Sequence, residues 1–346
     1  MMKNIVWKGI RIMTLMAAVL GFSACQDDEY NSENLVLYLK NVTGAAVEAS
    51  YERVVYVGDS YKMEGEPKIE HKYQVCASRN LVADAQVTVS VNPEAVKDYN
   101  EKNQTEYLLM PESAYTLSSY ELTLQANCMQ SAEGILSVSD LSKLDLSKDY
   151  ILPITITSIS SDDKGLQISV NRNTVFVLFN FSVSYFDPSA ETVEGEIMNR
   201  SAWEVSDNNH FQEYTADQAF DGDLKTAYIN GGVNPNDFLN AAITLDMKQK
   251  EEIAGFRIYP NNTLFGSDVN GKVMRFEISL DGQIWKELGV SAEIALNNWW
   301  NFDSPVYTYA KLLKPQIARY VRFSWVDTYN PARIFISVGE IDIIKK

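Results

Sequence analysis

From residue 34 to its end, the chain is written almost entirely in a period of two. Short runs rich in β-branched and aromatic residues alternate with polar neighbours and are cut off by polar turns. Leu35–Leu39, Val54–Val57, Tyr73–Val75, Val87–Val91, Leu122–Leu124, Ile154–Ile156 and Val175–Phe179 are the runs of the first half. Ala242–Asp246, Ile253–Ile258, Arg275–Ser279, Arg319–Phe323 and Ile334–Ile336 are those of the second, with an Asp281-Gly282 hairpin turn leading to Trp285. Alternation of this kind places successive side chains on opposite faces of a strand and calls for sheets buried on one side. One helix is expected, opening at Asn92 as N-cap with Pro93 in its first turn and running to about Asn103. The fold class is therefore all-β. Residues 34–183 are expected to form an immunoglobulin-like sandwich and 200–346 a jelly-roll sandwich. Between them, 184–199, with Pro188 and an acidic stretch from Glu191 to Glu196, is expected to be a linker.

Composition sets the class of partner. A 46% apolar fraction over 346 residues is enough to fill two cores. The net charge of −16 argues against nucleic acid, whose phosphate lattice repels such a field. Two histidines make a histidine-rich metal site untenable, and three cysteines are too few for a disulfide scaffold or a zinc ribbon.

Residues 1–24 read as an export signal. Lys3, Lys8 and Arg11 form the positive region, Ile12–Leu20 the apolar one, and Gly21 to Ala24 are mostly small residues before Cys25. The apolar run falls short of the about 20 residues that a spanning helix needs. Small residues directly before a single cysteine resemble the bacterial lipobox, which implies cleavage and lipidation at Cys25; Phe22 stands where leucine is commoner. Cleavage would remove three cations and leave a net charge of −19. Residues 25–33 then become a lipidated tether whose Asp27-Asp28-Glu29 cluster resembles the signal for export to the outer face of the outer membrane. Acyl chains hold a soluble body to a bilayer without any spanning segment.

Cys76 and Cys128 remain after cleavage, and two separate buried thiols are expected rather than a bridge. No nucleophile elbow, phosphate loop, zinc-protease helix or dinucleotide fingerprint occurs. His71 and His210 fall in different halves and read as surface or turn residues. With 46 acidic residues, carboxylate pairs at glycosidase spacing arise by chance and carry no information. The expectation is a protein that is not an enzyme.

Two resemblances sharpen this. Val91-Asn92-Pro93, Asp98-Tyr99-Asn100, Tyr107 to Pro111 and Tyr150 to Ile154 resemble the N-terminal domain of unknown function found in many Bacteroidetes surface lipoproteins. The second half is similar to the coagulation factor V/VIII type C, or discoidin, domain and to carbohydrate-binding module family 32. The matching order is Trp203, Ala219 to Tyr228, Leu245-Asp246, Ile253 to Phe256, Ile278 to Trp285, Ala318 to Arg322 and Gly339-Glu340-Ile341. Tyr228 departs from the usual tryptophan, and 230–240 is rich in asparagine.

The discoidin-like resemblance implies a structural Ca²⁺ held by Asp221, Asp223, Thr226 and Glu340. Physically, a hard cation wants six to eight oxygens, and Gly222 allows the sharp turn that would gather them. An ordinary Asp-Gly turn is the alternative. For glycan binding, a ring that stacks on the C–H face of a sugar must stand beside groups that reach its hydroxyls. Trp299 and Trp300, flanked by asparagines, offer both, with one ring inside and one outside, or both in the core. Tyr228, Asn230, Asn262, Tyr329 and Arg333 are the other principal candidates, with Asn234, Asn236, Phe238, Asn261, Phe265 and Asn330 on the same loops. The expected function is glycan capture at the cell surface within a polysaccharide-utilisation system, beside an outer-membrane transporter and other surface lipoproteins. An adhesion protein with a protein partner and an accessory glycosidase are the alternatives.

Overall fold

The computed structural model describes residues 35–42, 47–64, 68–231, 240–262, 269–296 and 302–346. They fall into two compact units, the second beginning at Ser184. Both are β-sandwiches, as the period-two pattern requires. Among the described residues no helix is long and apolar enough to cross a membrane.

In the first unit a five-stranded sheet runs in the order Leu166–Ile168, Leu35–Asn41, Ile69–Ala77, Gly134–Val138 and Tyr115–Leu117. The other sheet runs Tyr61–Met63, Glu48–Val57, Thr174–Ser184, Tyr150–Ser161, Ala85–Val91 and Glu121–Leu124. Leu35, Leu37 and Leu39 alternate inward and are buried, with Lys40 and its like facing out. Tyr150–Ser161 breaks this alternation with a fully buried run from Tyr150 to Ile156. The reason is the helix Glu94–Asn103, whose Val96 and Tyr99 pack on Ile151 and Leu178 and so cover the sheet's outer face. That helix begins as expected: the Asn92 side-chain oxygen accepts the Glu94 amide at 3.1 Å. It ends at Gln104, whose left-handed backbone (φ 55°) closes the last turn.

His71 is not a surface residue. It lies on the inward face of Ile69–Ala77 with no exposed area, donating from Nε2 to Asn41 Oδ1 at 2.8 Å, while its Nδ1 accepts from the Tyr51 hydroxyl at 3.1 Å. Burial without a counter-charge lowers its pKa to about 4. Cys76 is buried in the same strand and Cys128 is half-buried in a neighbouring turn; both are free thiols.

The second unit is built on two very long strands, Ala242–Tyr259 and Thr308–Thr328, paired antiparallel with register shifts between Asp246 and Glu251 and again between Ile253 and Gly255. Such shifts bend a strand and let one chain segment serve a curved sheet. The sheet order is Glu196–Ile197, Glu340–Lys345, Ala242–Tyr259, Thr308–Thr328, Gly271–Ser279 and Lys286–Val290, with Glu204–Asp207 also on Ala242–Tyr259. A separate ribbon pairs Tyr228–Gly231 with Phe335–Val338. Phe186, Phe256, Phe276 and Phe323 meet at ring separations of 4.7 to 6.2 Å at the centre of the core. Gly271 permits this packing at the ribbon end: a Cβ there would stand 2.0 Å from the Trp325 ring.

The stretch 184–199 is not a free linker. Phe186 is buried in the second core, and Glu196–Ile197 adds an edge strand to Glu340–Lys345. Its polar composition reflects an edge position.

Candidate functional site

The turn that precedes the acidic loop is set by packing. Ala216 and Ala219 are buried, and Phe220 lies edge-on to Trp203 and beside Phe323. With that ring fixed inside, the chain reverses at Asp221-Gly222-Asp223, where Gly222 takes φ +81°, a region costly for residues with a Cβ. Asp221 Oδ1 accepts the Asp223 amide at 2.8 Å, and Asp223 Oδ1 accepts the Lys225 amide at 3.0 Å.

These turns gather oxygens around Thr226. Its Oγ1 lies 3.0 and 2.9 Å from the two Asp221 carboxylate oxygens, 2.8 Å from the Asp223 carbonyl and 3.4 Å from that of Gln218. A hydroxyl has one proton and can satisfy one of these four acceptors. An oxygen crowd short of protons is the donor set a hard cation completes, so the loop fits Ca²⁺. Glu340 reaches the loop from the last strand; its Oε2 accepts the Gly222 amide at 3.1 Å. Burial pushes its pKa up to about 7 against the pull of Arg200. Two details differ from the expected set. Asp223 turns its carboxylate to its own loop and offers its carbonyl instead, and among the described residues no three Asp, Glu, His or Cys side chains converge on one point. A cation here would rest mainly on Asp221, Thr226 and backbone carbonyls.

The expected glycan residues divide. Tyr228 has no exposed area, stacks on Trp325 at 5.7 Å and donates its hydroxyl to the Asn209 carbonyl at 2.7 Å; it belongs to the core. Asn230 and Asn262 are likewise buried and are not on the surface as expected. Asn230 donates to the same Asn209 carbonyl at 3.0 Å. Asn261 and Asn270 share two hydrogen bonds, 2.6 and 2.8 Å, and Asn261 also donates to Ser337 Oγ. These amides form a polar floor under that end of the sandwich, hydrogen-bonded except at the buried Asn230 Oδ1. Tyr329 is half-buried, with its hydroxyl bonded to the Ile294 carbonyl, and Arg333 is exposed. Phe302, next to the tryptophan pair in sequence, has Lys225 of the acidic loop 5.9 Å from its ring centroid. Trp299, Trp300, Asn234, Asn236, Phe238, Phe265 and the lipidation candidate Cys25 lie outside the described residues.

His210 is partly exposed at the surface, as expected, with Nδ1 held by Asp207 at 2.9 Å. Sequence reasoning passed over Arg200 altogether. Its guanidinium bridges Glu340 and Asp342, and Arg257 holds the other oxygen of Asp342 at 2.5 Å. Nothing local to Arg200 signals these partners, which stand 140 and 142 positions further on.

Residues 201–338 match the F5/8 type C domain family, and residues 28–163 match a family described as an N-terminal domain. The chain thus carries a region similar to F5/8 type C domains behind a region similar to that N-terminal domain. Among solved structures, it resembles a two-domain protein of unknown function from Bacteroides fragilis at 18% identity, over 92% of this chain and 96% of that one, with a TM-score of 0.54. The F5/8 type C domain of another Bacteroides fragilis protein aligns at 21% identity over 44% of this chain and 97% of its own, with a TM-score of 0.35. The family 32 carbohydrate-binding module of Clostridium perfringens NanJ, solved with galactose, aligns at 14% identity over 42% and 94%, with a TM-score of 0.32. No curated protein matches the chain.

Proposed function

We propose that this is a non-catalytic glycan-capture protein whose ligand edge lies on the F5/8 type C domain. One observation carries the reading. Buried amides and hydroxyls stiffen one end of that sandwich, and the segments rising from it bring Tyr329, Asn330 and Arg333 toward the surface. The stacking ring is assigned, from sequence alone, to Trp299 or Trp300. An aromatic ring beside a guanidinium and amides suits a pyranose, giving shallow binding in the micromolar to millimolar range, roughly −4 to −8 kcal/mol. Cleavage and lipidation at Cys25 would anchor the protein to the outer membrane, facing outward. There it would hand glycan to a transporter and neighbouring lipoproteins of a polysaccharide-utilisation system.

A glycan array with the chain from residue 26 onward tests this. Binding to at least one oligosaccharide class is expected. Arg333→Ala should weaken it about tenfold, the loss of about 1.4 kcal/mol of charge-assisted hydrogen bonding. Silence across the array together with capture of a protein ligand would replace glycan capture with adhesion, and turnover of a glycan pool would make it an enzyme.

Calcium belongs to the same proposal, as a structural ion on Asp221, Thr226 and the Asp223 and Gln218 carbonyls, with Glu340 beside it. A ligand bound only by the native state stabilises it by RT ln(1 + [L]/Kd), about 2.7 kcal/mol at a hundredfold excess over Kd. Chelation should therefore lower the melting temperature of the second unit by several degrees, and readdition of calcium but not of sodium should restore it.

A further inference from the structure

We propose that Arg200 is a cation built into the acidic loop, and that it sets how far this part of the fold depends on calcium. The inference rests on the calcium reading of the same loop and can fail separately from it. The Glu340 and Asp342 side chains are 3% and 2% exposed, and two carboxylates this deeply buried need positive charge beside them. Arg200 supplies it to both at once, one guanidinium nitrogen on Glu340 Oε1 and another on Asp342 Oδ1. Arg257 holds Asp342 Oδ2 from the opposite side. Two guanidinium groups thus face two buried carboxylates, so positive charge stands beside both without a metal.

The quartet is also wired to the loop. The Glu340 oxygen that Arg200 leaves free accepts the Gly222 amide, and Arg200 Nη1 lies 4.0 Å from the place a Gly222 Cβ would take. Arg200 therefore joins three segments distant in sequence: its own, just before Trp203, the 221–226 turn and the final strand. A calcium ion on Asp221 and Thr226 with Glu340 beside it would join the last two. Where arginine and metal both help to hold the loop to the final strand, removing the arginine leaves more for the metal to do.

The test is the melting temperature of the full chain and of Arg200→Met, each in millimolar calcium and in chelator. Met keeps much of the stem's volume and discards the charge. The variant is expected to melt lower than the wild type in both conditions, with the loss larger in chelator by about 5 °C or more. Arg200→Lys keeps the charge but not the planar fork that spans two carboxylates, so it should show the same ordering in smaller measure. It also keeps the test decisive if Arg200→Met does not fold in chelator. Equal losses with and without calcium for both variants would overturn the proposal. The wild type alone tests the calcium reading. A wild type indifferent to calcium beside a variant that gains from it would sink that reading for the native protein while supporting this one, with arginine standing in for the metal.

Discussion

Replacing Phe276 with alanine is expected to cost the second unit about 3–5 kcal/mol, the largest effect of any single truncation considered. Phe276 has no exposed area, and its ring meets those of Phe186, Phe256 and Phe323 at 5.1, 4.7 and 5.5 Å. The loss combines the transfer free energy of a benzyl group with the cavity left among neighbours held by two different strands and the 184–199 stretch, none of which can close in alone. Denaturant titration of the second unit, followed by tryptophan fluorescence, reads the change as a lower midpoint. Truncating exposed Ile284, in the turn between Gly271–Ser279 and Lys286–Val290, is the control and should fall within about 0.5 kcal/mol of the wild type. Two equal midpoints would mean that the aromatic cluster is not the centre of this core.

The second large effect is acid sensitivity seated at His71. In the unfolded chain the imidazole titrates near 6.5; in the native sandwich burial lowers this to about 4. The unfolded state therefore takes up a proton first as the pH falls. Stability is whole above 6.5 and drains away down to about 4, a loss of about 3 kcal/mol at the bottom of that window. His71→Gln keeps a donor for Asn41 but removes the titrating group. Urea midpoints of the two proteins at pH 7.5 and pH 4.5 should differ most at the higher pH, with the gap closing or reversing at the lower. A gap that stays constant would show that His71 does not titrate in this window.

Much of the architecture was legible because strand formation and burial are local in cause. Alternation marked Leu35–Leu39 and Arg275–Ser279, inside the observed strands Leu35–Asn41 and Gly271–Ser279, and the Asn92-Pro93 pair marked the only α-helix among the described residues. The acidic loop was legible for the same reason, since Asp221, Asp223 and Thr226 act within one turn. The same alternation placed His71 inward, two residues from Ile69 and two from Tyr73, and was a usable signal for its burial. What escaped depends on partners remote in sequence. Asn230, Asn261 and Asn262 look like solvated loop residues, yet amides can be buried wherever other polar groups satisfy them. Tyr228 follows the loop motif and so reads as rim, but pairing with Val338 turns its ring onto Trp325. Phe186 sits in a polar stretch whose only apolar duty is to close the second core. Arg200 had no readable role until the last strand was in place.

The position of Tyr228 and the amides around it has a wider consequence. These groups are consumed in holding the ribbon to Trp325, so on the proposed glycan-capture reading folding and discrimination would fall to different residues. Substitutions at exposed Arg333 would then alter which molecule is recognised while leaving the thermal midpoint nearly where it was. On that reading, a lineage could exchange one ligand for another through surface positions alone, on an unaltered foundation.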